Sequence, residues 1–440
     1  MRAFLLFLIM LVAVPISFIN SYYGLLIYYW VNYMRPLELA WYIKYFDYGT
    51  FLAAALLSGY FLFSIHKARL CINHLGHLLL LWVILGITSA TAYIPQVAVW
   101  KFWEFSKVII ICILTVSIIK DDTARLKRLM LVIALSSGVL AFHGLKQAIF
   151  TGGGMVKGPG GQLAENNDFA IFLTMMIPII YYVGKCEGNE RWRRLCTIMA
   201  ISSGIAAIFT YSRAGFLELC GVVLIMSAKA NRKWVGIIGL SFAVVVFLLF
   251  APQAVKNRIA SIKTARQDDI STKSRFDAWE CAGRMIRRHP VVGVGPKNFS
   301  YVFNYFQSGI PWDTHNGFLR ITAESGIPAF IVYVYIILQS IYVLRHTRRK
   351  LQKAGGPSHL ILYCHGIGAM FPAYIIGNLF NSRHDFDAYY YLIPVIACIR
   401  LQADAWLAQN TMTDRQRRMK LFKDRLAGRS VIAPTGATAS

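Results

Sequence analysis

The strongest candidate for chemistry in this chain is residues 313–328 (DTHNGFLRITAESGIP). Here His315 comes just before a short predicted helix, with Asn316 next to it. A neutral imidazole at this position can take a proton from a hydroxyl group near neutral pH, as a general base does. The alternative interpretation is a histidine that only caps the helix or lies at a membrane surface. Arg320 and Glu324 are four residues apart and therefore share one helix face.

Two further groups offer guanidinium side chains for an anion. Arg213 lies in a short Ser-Arg-Ala-Gly turn between two apolar segments, where an arginine is costly unless it is paired or faces water. Its planar fork matches phosphate oxygens, and a snorkelling arginine is the equally good alternative. Arg275 and Trp279 share a helix face ahead of the glycine turn at residues 293–297. This second combination suits a diphosphate, whereas a solvated charged face is the common alternative.

The fourth group is Lys101, Glu104 and Lys107, which repeat every three residues along one predicted helix. Lys107 lies about 10 Å, or two turns, inside that helix, which is deep for a lysine that only snorkels. Together with Arg288 and Arg320 it completes the predicted anion-binding set. A glycine-rich loop at residues 151–161 is either a flexible connector or a mobile lid.

Composition places these residues in an all-α polytopic membrane protein. Of the 440 residues 56% are hydrophobic and 15% charged, and long apolar runs recur throughout; a helix needs about 20 such residues to cross a bilayer. The pattern predicts about twelve transmembrane helices, the first of them broken at Pro15. We expect spans near 3–34, 49–65, 77–93, 100–119, 128–149, 167–184, 195–211, 213–228, 233–251, 327–344, 359–380 and 387–401.

The spans divide the chain into four regions. Residues 1–251 hold spans 1–9, and residues 252–326 form a large basic loop that is partly helical. Residues 327–401 hold spans 10–12, and residues 402–440 form a basic tail.

Charge patterning predicts the orientation of these spans. The tail and five of the loops hold 26 lysines and arginines, whereas the alternate short loops hold four. The positive-inside rule then places both termini in the cytoplasm and the large loop in the periplasm of a bacterial inner membrane. The net charge of +25 follows from this topology, so we expect membrane lipids and no nucleic acid as partners.

The predicted periplasmic loop breaks this charge rule. Residues 252–315 contain ten lysines and arginines but only five carboxylates. Because the positive-inside rule gives no reason for an excess of cations on the outer side, we expect an anionic ligand to bind there.

Read together, these motifs resemble the bacterial O-antigen ligase and O-antigen polymerase superfamily of polytopic membrane glycosyltransferases. The resemblance covers residues 126–400 and rests on Arg213 in its outer turn, on Arg275 and Trp279 ahead of the glycine turn, on the basic loop, and on residues 315–326. The N-terminal part is more similar to the branch of O-glycosylation ligases associated with exosortase systems.

The resemblance implies a reaction as well as a fold. A glycan on a polyprenyl diphosphate carries its own activation, so transfer to an acceptor hydroxyl needs no nucleotide sugar. His315 maps onto the family's base, while Arg213 and Arg275 map onto its arginines. Direct attack inverts the anomeric configuration, and neither a metal ion nor another cofactor is expected. Only the pair Asp268 and Asp269 leaves a metal ion open.

The acceptor is the least determined part of this prediction. An O-antigen ligase transfers the glycan to lipid A core, a protein O-oligosaccharyltransferase transfers it to a protein hydroxyl, and a polymerase joins two lipid-linked repeats. A transporter of lipid-linked glycans is the alternative of another class. Transporters usually bind substrate at the bilayer midplane, whereas the candidate residues here cluster on one face.

Overall fold

The computed structural model describes residues 2–39, 48–64, 72–228 and 270–426, and every regular element within these ranges is helical. The first nine helices are α1 (Arg2–Ile19), α2 (Ser21–Met34), α3 (Tyr48–Gly59), α4 (Gly76–Ala90), α5 (Pro95–Ile119), α6 (Thr123–Phe150), α7 (Asn166–Cys186), α8 (Glu190–Phe209) and α9 (Arg213–Ala228). After the undescribed residues follow α10 (Ile270–Arg288), α11 (Phe303–Phe306), α12 (Gly317–Lys353), α13 (Ser358–Phe380), α14 (Asp387–Tyr390) and α15 (Leu392–Leu426).

Seven of the described helical segments are long and apolar enough to cross a membrane. They are α5, α6, α7, α8, α12, α13 and residues Asp387–Asn410, and three shorter apolar helices occur in Leu6–Ile19, Tyr48–Phe63 and Gly76–Ala90. The chain is therefore a multi-pass membrane protein, as predicted. The predicted span at 233–251 and the first part of the basic loop, residues 252–269, lie outside the described residues, so the number twelve stays a prediction.

The first apolar segment is interrupted as expected, but at Asn20 and not at Pro15. The Asn20 side chain accepts hydrogen bonds from the N–H groups of Tyr22 and Tyr23 and thereby caps α2. Such a cap satisfies amide groups that a new helix leaves unpaired. Pro15 lies inside α1, which agrees with the tolerance of apolar membrane helices for proline.

Helix α7 forms the centre of the bundle. It packs against α6, α8, α9 and α13, and its residues 168–180 are all buried. Glycines permit the close approach of its neighbours: a Cβ atom on Gly377 of α13 would lie 2.7 Å from the Ile171 side chain. Small residues at such contacts are typical of helices that pack within a membrane.

Gly326 divides α12 into a short segment and a longer apolar one. Its φ of 81° and ψ of 170° are not helical, and a Cβ atom there would lie 2.0 Å from the carbonyl oxygen of Val291. Only glycine adopts this conformation readily. The predicted interruption at Gly326 and Pro328 is confirmed, and it leaves residues 317–325 beside the cavity described next.

Candidate active site

A cavity of about 290 Å³, the His315 cavity, lies at one end of the helix bundle. Its walls come from the beginnings of α5 and α7, the glycine turn, the segment before the Gly326 kink, and the loop between α13 and α14. The polar lining residues are Lys101, Glu165, Asn167, Asp168, Lys297, Asp313, His315, Arg320, Glu324, Ser325, Asn381, Ser382, Arg383, His384 and Asp385. Five separate parts of the sequence thus converge on one site.

His315 lies immediately before α12 in a left-handed conformation, with φ at 44°. The side chain is partly buried, and within the described part of the chain neither ring nitrogen has a hydrogen-bond partner. Burial lowers the pKa of His315; the negative charge of Asp313 opposes this shift, and the positive charge of Arg275 adds to it. The imidazole is therefore neutral at physiological pH and can accept a proton.

Asp313 holds the backbone around His315 in place. Its carboxylate accepts hydrogen bonds from the backbone N–H of His315, at 3.1 Å, and from the hydroxyl of Ser382, and it forms an ion pair with Arg320 at 2.6 Å. Although burial favours the neutral acid, the Arg320 charge and the Ser382 hydroxyl hold the pKa of Asp313 well below its usual range. Trp279 adds a further tie by donating from Nε1 to the carbonyl oxygen of Thr314, at 2.8 Å.

Arg320 and Glu324 form the buried ion pair that their spacing predicts, with Nε and Oε1 3.0 Å apart. Arg320 thus uses Nη1 for Asp313 and Nε for Glu324, and within the described residues only its Nη2 has no partner. Glu324 also accepts hydrogen bonds from the backbone N–H groups of Lys297 and Phe299. The pair therefore fixes the glycine turn as well as α12.

The glycine turn is a structural support for the site. The N–H groups of Val294 and Gly295 donate to the carbonyl oxygens of Ala323 and Glu324, at 3.0 and 2.8 Å. A Cβ atom on Gly293 would lie 2.4 Å from the Glu324 carbonyl carbon, so the two backbones touch. These amides are not available to a phosphate group. What the turn presents to the cavity is the side chain of Lys297, which has no ion-pair partner among the described residues.

Sequence reasoning missed the charged loop between α13 and α14. Arg383 there forms a two-pronged ion pair with Asp168 of α7, and Asp385 forms one with Lys101 of α5 at 2.7 Å. The side chain of His384 also lines the cavity, and burial lowers its pKa. The available signal was RHDFD at residues 383–387: four charged or titratable residues confined between two apolar spans.

The structure brings several of the predicted residues together. His315, Arg320 and Glu324 line the cavity, and Arg275 lies close enough to affect the titration of His315. Asn316 caps α12 by accepting from the N–H of Leu319 at 3.0 Å.

Three predicted residues lie outside the His315 cavity. Lys107 lines an adjoining cavity and donates to the Thr50 hydroxyl at 2.9 Å. Arg213 is exposed at the first residue of α9, in a turn joined to the beginning of α7 through Asn166 and Thr210. Arg288 lies over the ring of Phe306, 5.6 Å from its centre.

A metal site was not expected. Within residues 2–39, 48–64, 72–228 and 270–426, no group of three or more His, Cys, Asp or Glu side chains is arranged to hold an ion. The pair Asp268 and Asp269 lies outside those ranges.

Comparison with known proteins gives two family matches. Residues 198–334 match the family described as O-Antigen ligase, which includes Lys297, His315, Arg320 and Glu324. Residues 1–187 match a family of unknown function (DUF5935), which includes Lys101 and Asp168. No curated protein matches the chain. The loop at 381–385 lies beyond both matches, so the cavity draws on both matched regions and on the C-terminal part. The chain therefore carries an O-antigen ligase family domain at residues 198–334, preceded by a region that belongs to a family of unknown function.

Proposed function

We propose that this protein transfers a glycan from a polyprenyl diphosphate to an acceptor hydroxyl, with His315 as the general base. The observation that carries the proposal is a partly buried imidazole of lowered pKa that faces a cation-containing cavity within the O-antigen ligase domain. A base of this kind accepts a proton at neutral pH without being protonated beforehand.

The proposed reaction is a single displacement. The acceptor oxygen attacks the anomeric carbon, the bond from that carbon to the diphosphate oxygen breaks, and the hydroxyl proton passes to an imidazole nitrogen of His315. The sugar is inverted, and the lipid diphosphate leaves with the bonding electrons. Negative charge therefore grows on the diphosphate, and cations fixed beside it lower the barrier.

The cations differ in their availability for this role. Lys297 lines the cavity without an ion-pair partner in the described residues, Arg320 retains one unpaired nitrogen, and Arg275 lies near His315. We assign diphosphate binding to these three. Lys101 and Arg383 are engaged by buried carboxylates and act mainly as supports. Direct contacts from Arg213, Lys107 and Arg288 stay predictions from the sequence.

We place the site on the periplasmic face of the inner membrane, because the positive-inside rule assigns that side to the loop before α12. Lipid A core is our first choice of acceptor. A protein hydroxyl or a second lipid-linked repeat would use the same chemistry, since each offers a hydroxyl oxygen to the base.

The test is a reconstituted assay with purified protein and a polyprenyl-diphosphate glycan. Separate reactions receive lipid A core, a hydroxyl-bearing protein acceptor, or additional donor alone. The expected product is a new glycoside in the lipid A core reaction, and product in another reaction would change the acceptor. Protein that moves the donor across a vesicle membrane and forms no glycoside in any reaction would be a transporter, contrary to the proposal.

A further inference from the structure

A second cavity of about 630 Å³ adjoins the His315 cavity. The two share Lys101, Lys297, Arg383 and Asp385 in their walls. We propose that this second cavity, the Asp387 cavity, binds a neutral, hydroxyl-rich sugar residue of one of the glycans that meet at His315. The inference deepens the proposed function and rests on it for the identity of those glycans.

The Asp387 cavity contains groups suited to sugar hydroxyls. Asn32 of α2, Gln162 of the loop before α7, and Asp387 bring amide or carboxylate oxygens to its wall. Trp100 of α5 adds an indole ring that is 57% exposed. Aromatic surface with a few fixed polar groups is typical of small-molecule sites, and a ring face suits the apolar side of a sugar.

Asp387 is positioned but not neutralised. Gln162 accepts a hydrogen bond from the backbone N–H of Asp387 at 3.2 Å and donates one to the carbonyl oxygen of Asp385 at 3.3 Å. Within the part of the chain that the structure describes, the Asp387 carboxylate has no hydrogen bond or ion pair. Asn32 likewise uses its Nδ2 for the Tyr28 carbonyl oxygen, at 2.9 Å, and leaves Oδ1 free among these residues. Both oxygens can accept hydrogen bonds from a ligand.

The wall opposite α5 is a packed surface. Arg35 and Glu38 form an ion pair at 3.0 Å. Gly161 lies directly against that pair: with φ at +55°, a Cβ atom there would lie 2.2 Å from Glu38 Oε1 and 2.8 Å from Arg35 Nη1. The end of the glycine-rich loop, predicted as a connector or a lid, is therefore docked and brings Gln162 into the wall.

The charges favour a neutral ligand in this cavity. Glu38, Glu104 and Asp385 each pair with a cation, whereas Asp387 does not. A phosphate or an acidic sugar would lie beside an uncompensated carboxylate, and like charges repel strongly away from bulk water. A hydroxyl group instead donates to that carboxylate in a charge-assisted hydrogen bond.

The location assigns a role to the N-terminal region of unknown function. Asn32, Trp100, Glu104 and Gln162 all lie within residues 1–187. This region would recognise the sugar, while the O-antigen ligase domain supplies the base a short distance away across the shared wall.

Direct binding tests this assignment without any need for turnover. Full-length protein in lipid nanodiscs is titrated by calorimetry with two soluble probes: the donor glycan released from its carrier, and the core oligosaccharide released from lipid A. The test variants are Asp387→Asn and Asn32→Leu. Asp404→Asn is the matched control, because it removes a carboxylate that pairs with Arg400, about 18 Å along α15 from its first residue.

We expect one probe to bind wild-type protein and to bind each test variant about tenfold more weakly, as loss of one hydrogen bond to a ligand predicts. Asp404→Asn and His315→Ala should retain the wild-type affinity. The responding probe identifies whether the donor or the acceptor glycan occupies the cavity. Equal affinities in wild type and both test variants, or binding of neither probe to wild type, would overturn the inference. Failure of the proposed function would instead be a wild-type protein that binds a probe but forms no glycoside.

Discussion

Arg383 and Asp168 are joined by a two-pronged ion pair although they lie 215 residues apart in the chain. Asp168 is almost completely buried at the beginning of α7, and Arg383 lies in the loop that follows α13. The pair fixes the charged loop against the most buried helix of the bundle. Because the loop also carries Ser382, which binds Asp313, this ion pair indirectly supports the backbone of His315.

Breaking this pair should destabilise the protein. Arg383→Met leaves the Asp168 carboxylate buried without its cation, which typically costs about 3–5 kcal/mol. We expect a lower midpoint of thermal unfolding in detergent, measured by intrinsic fluorescence. The matched control is Glu190→Gln, which removes an exposed ion pair with Arg194 on α8 and should cost under about 1 kcal/mol. Equal midpoints for the two variants would contradict the role of the Arg383–Asp168 pair.

Gly326→Ala should reduce both stability and transfer. The alanine side chain meets the Val291 carbonyl oxygen at 2.0 Å, and the backbone conformation is one that alanine adopts only at a cost of about 1–3 kcal/mol. Gly368→Ala on α13 is the control, since a Cβ atom there meets nothing within 4 Å. The assays are thermal unfolding and glycan transfer on the same preparations. A Gly326→Ala protein as stable as Gly368→Ala would show that the kink tolerates a side chain.

Sequence patterns predicted the part of the site that is contiguous in the chain. His315, Arg320 and Glu324 lie within ten residues, and helical spacing alone places the last two together. Lys101 was attributed to snorkelling, but its partner Asp385 is in another helix connection near the C-terminus. No periodicity in either segment indicates such a long-range pair, because it depends on how the helices pack.

The fold shows the same limit. Apolar runs predicted the helices and the break before the last spans at Gly326, since both follow from local composition. The first break was assigned to Pro15 but occurs at Asn20. A proline signal was preferred over a polar cap, whereas within the bundle the capping side chain determines where the new helix begins.

The pH dependence of transfer should report the environment of His315. Protonation of the base abolishes activity, so kcat/KM should fall on the acid side with a midpoint below 6.5, the ordinary pKa of histidine, because burial lowers the pKa of His315. Arg275→Gln removes a positive charge that disfavours the imidazolium. The pKa should therefore rise and the acid limb should move to higher pH.

The control for this profile is Arg287→Gln, which removes an exposed arginine from the same helix. Its acid limb should coincide with that of wild type. An unchanged limb in Arg275→Gln, or one displaced to lower pH, would contradict the assigned proximity of Arg275 and His315.

The most direct measurement is the turnover of His315→Ala together with its affinity for the polyprenyl-diphosphate donor, on one preparation. His346→Ala, at the far end of α12, is the control. If His315 is the base, turnover falls by roughly 10²–10⁴ while donor affinity stays near wild type, since the lost group acts on the acceptor proton. A His315→Ala protein that transfers glycan at the wild-type rate would contradict the mechanism.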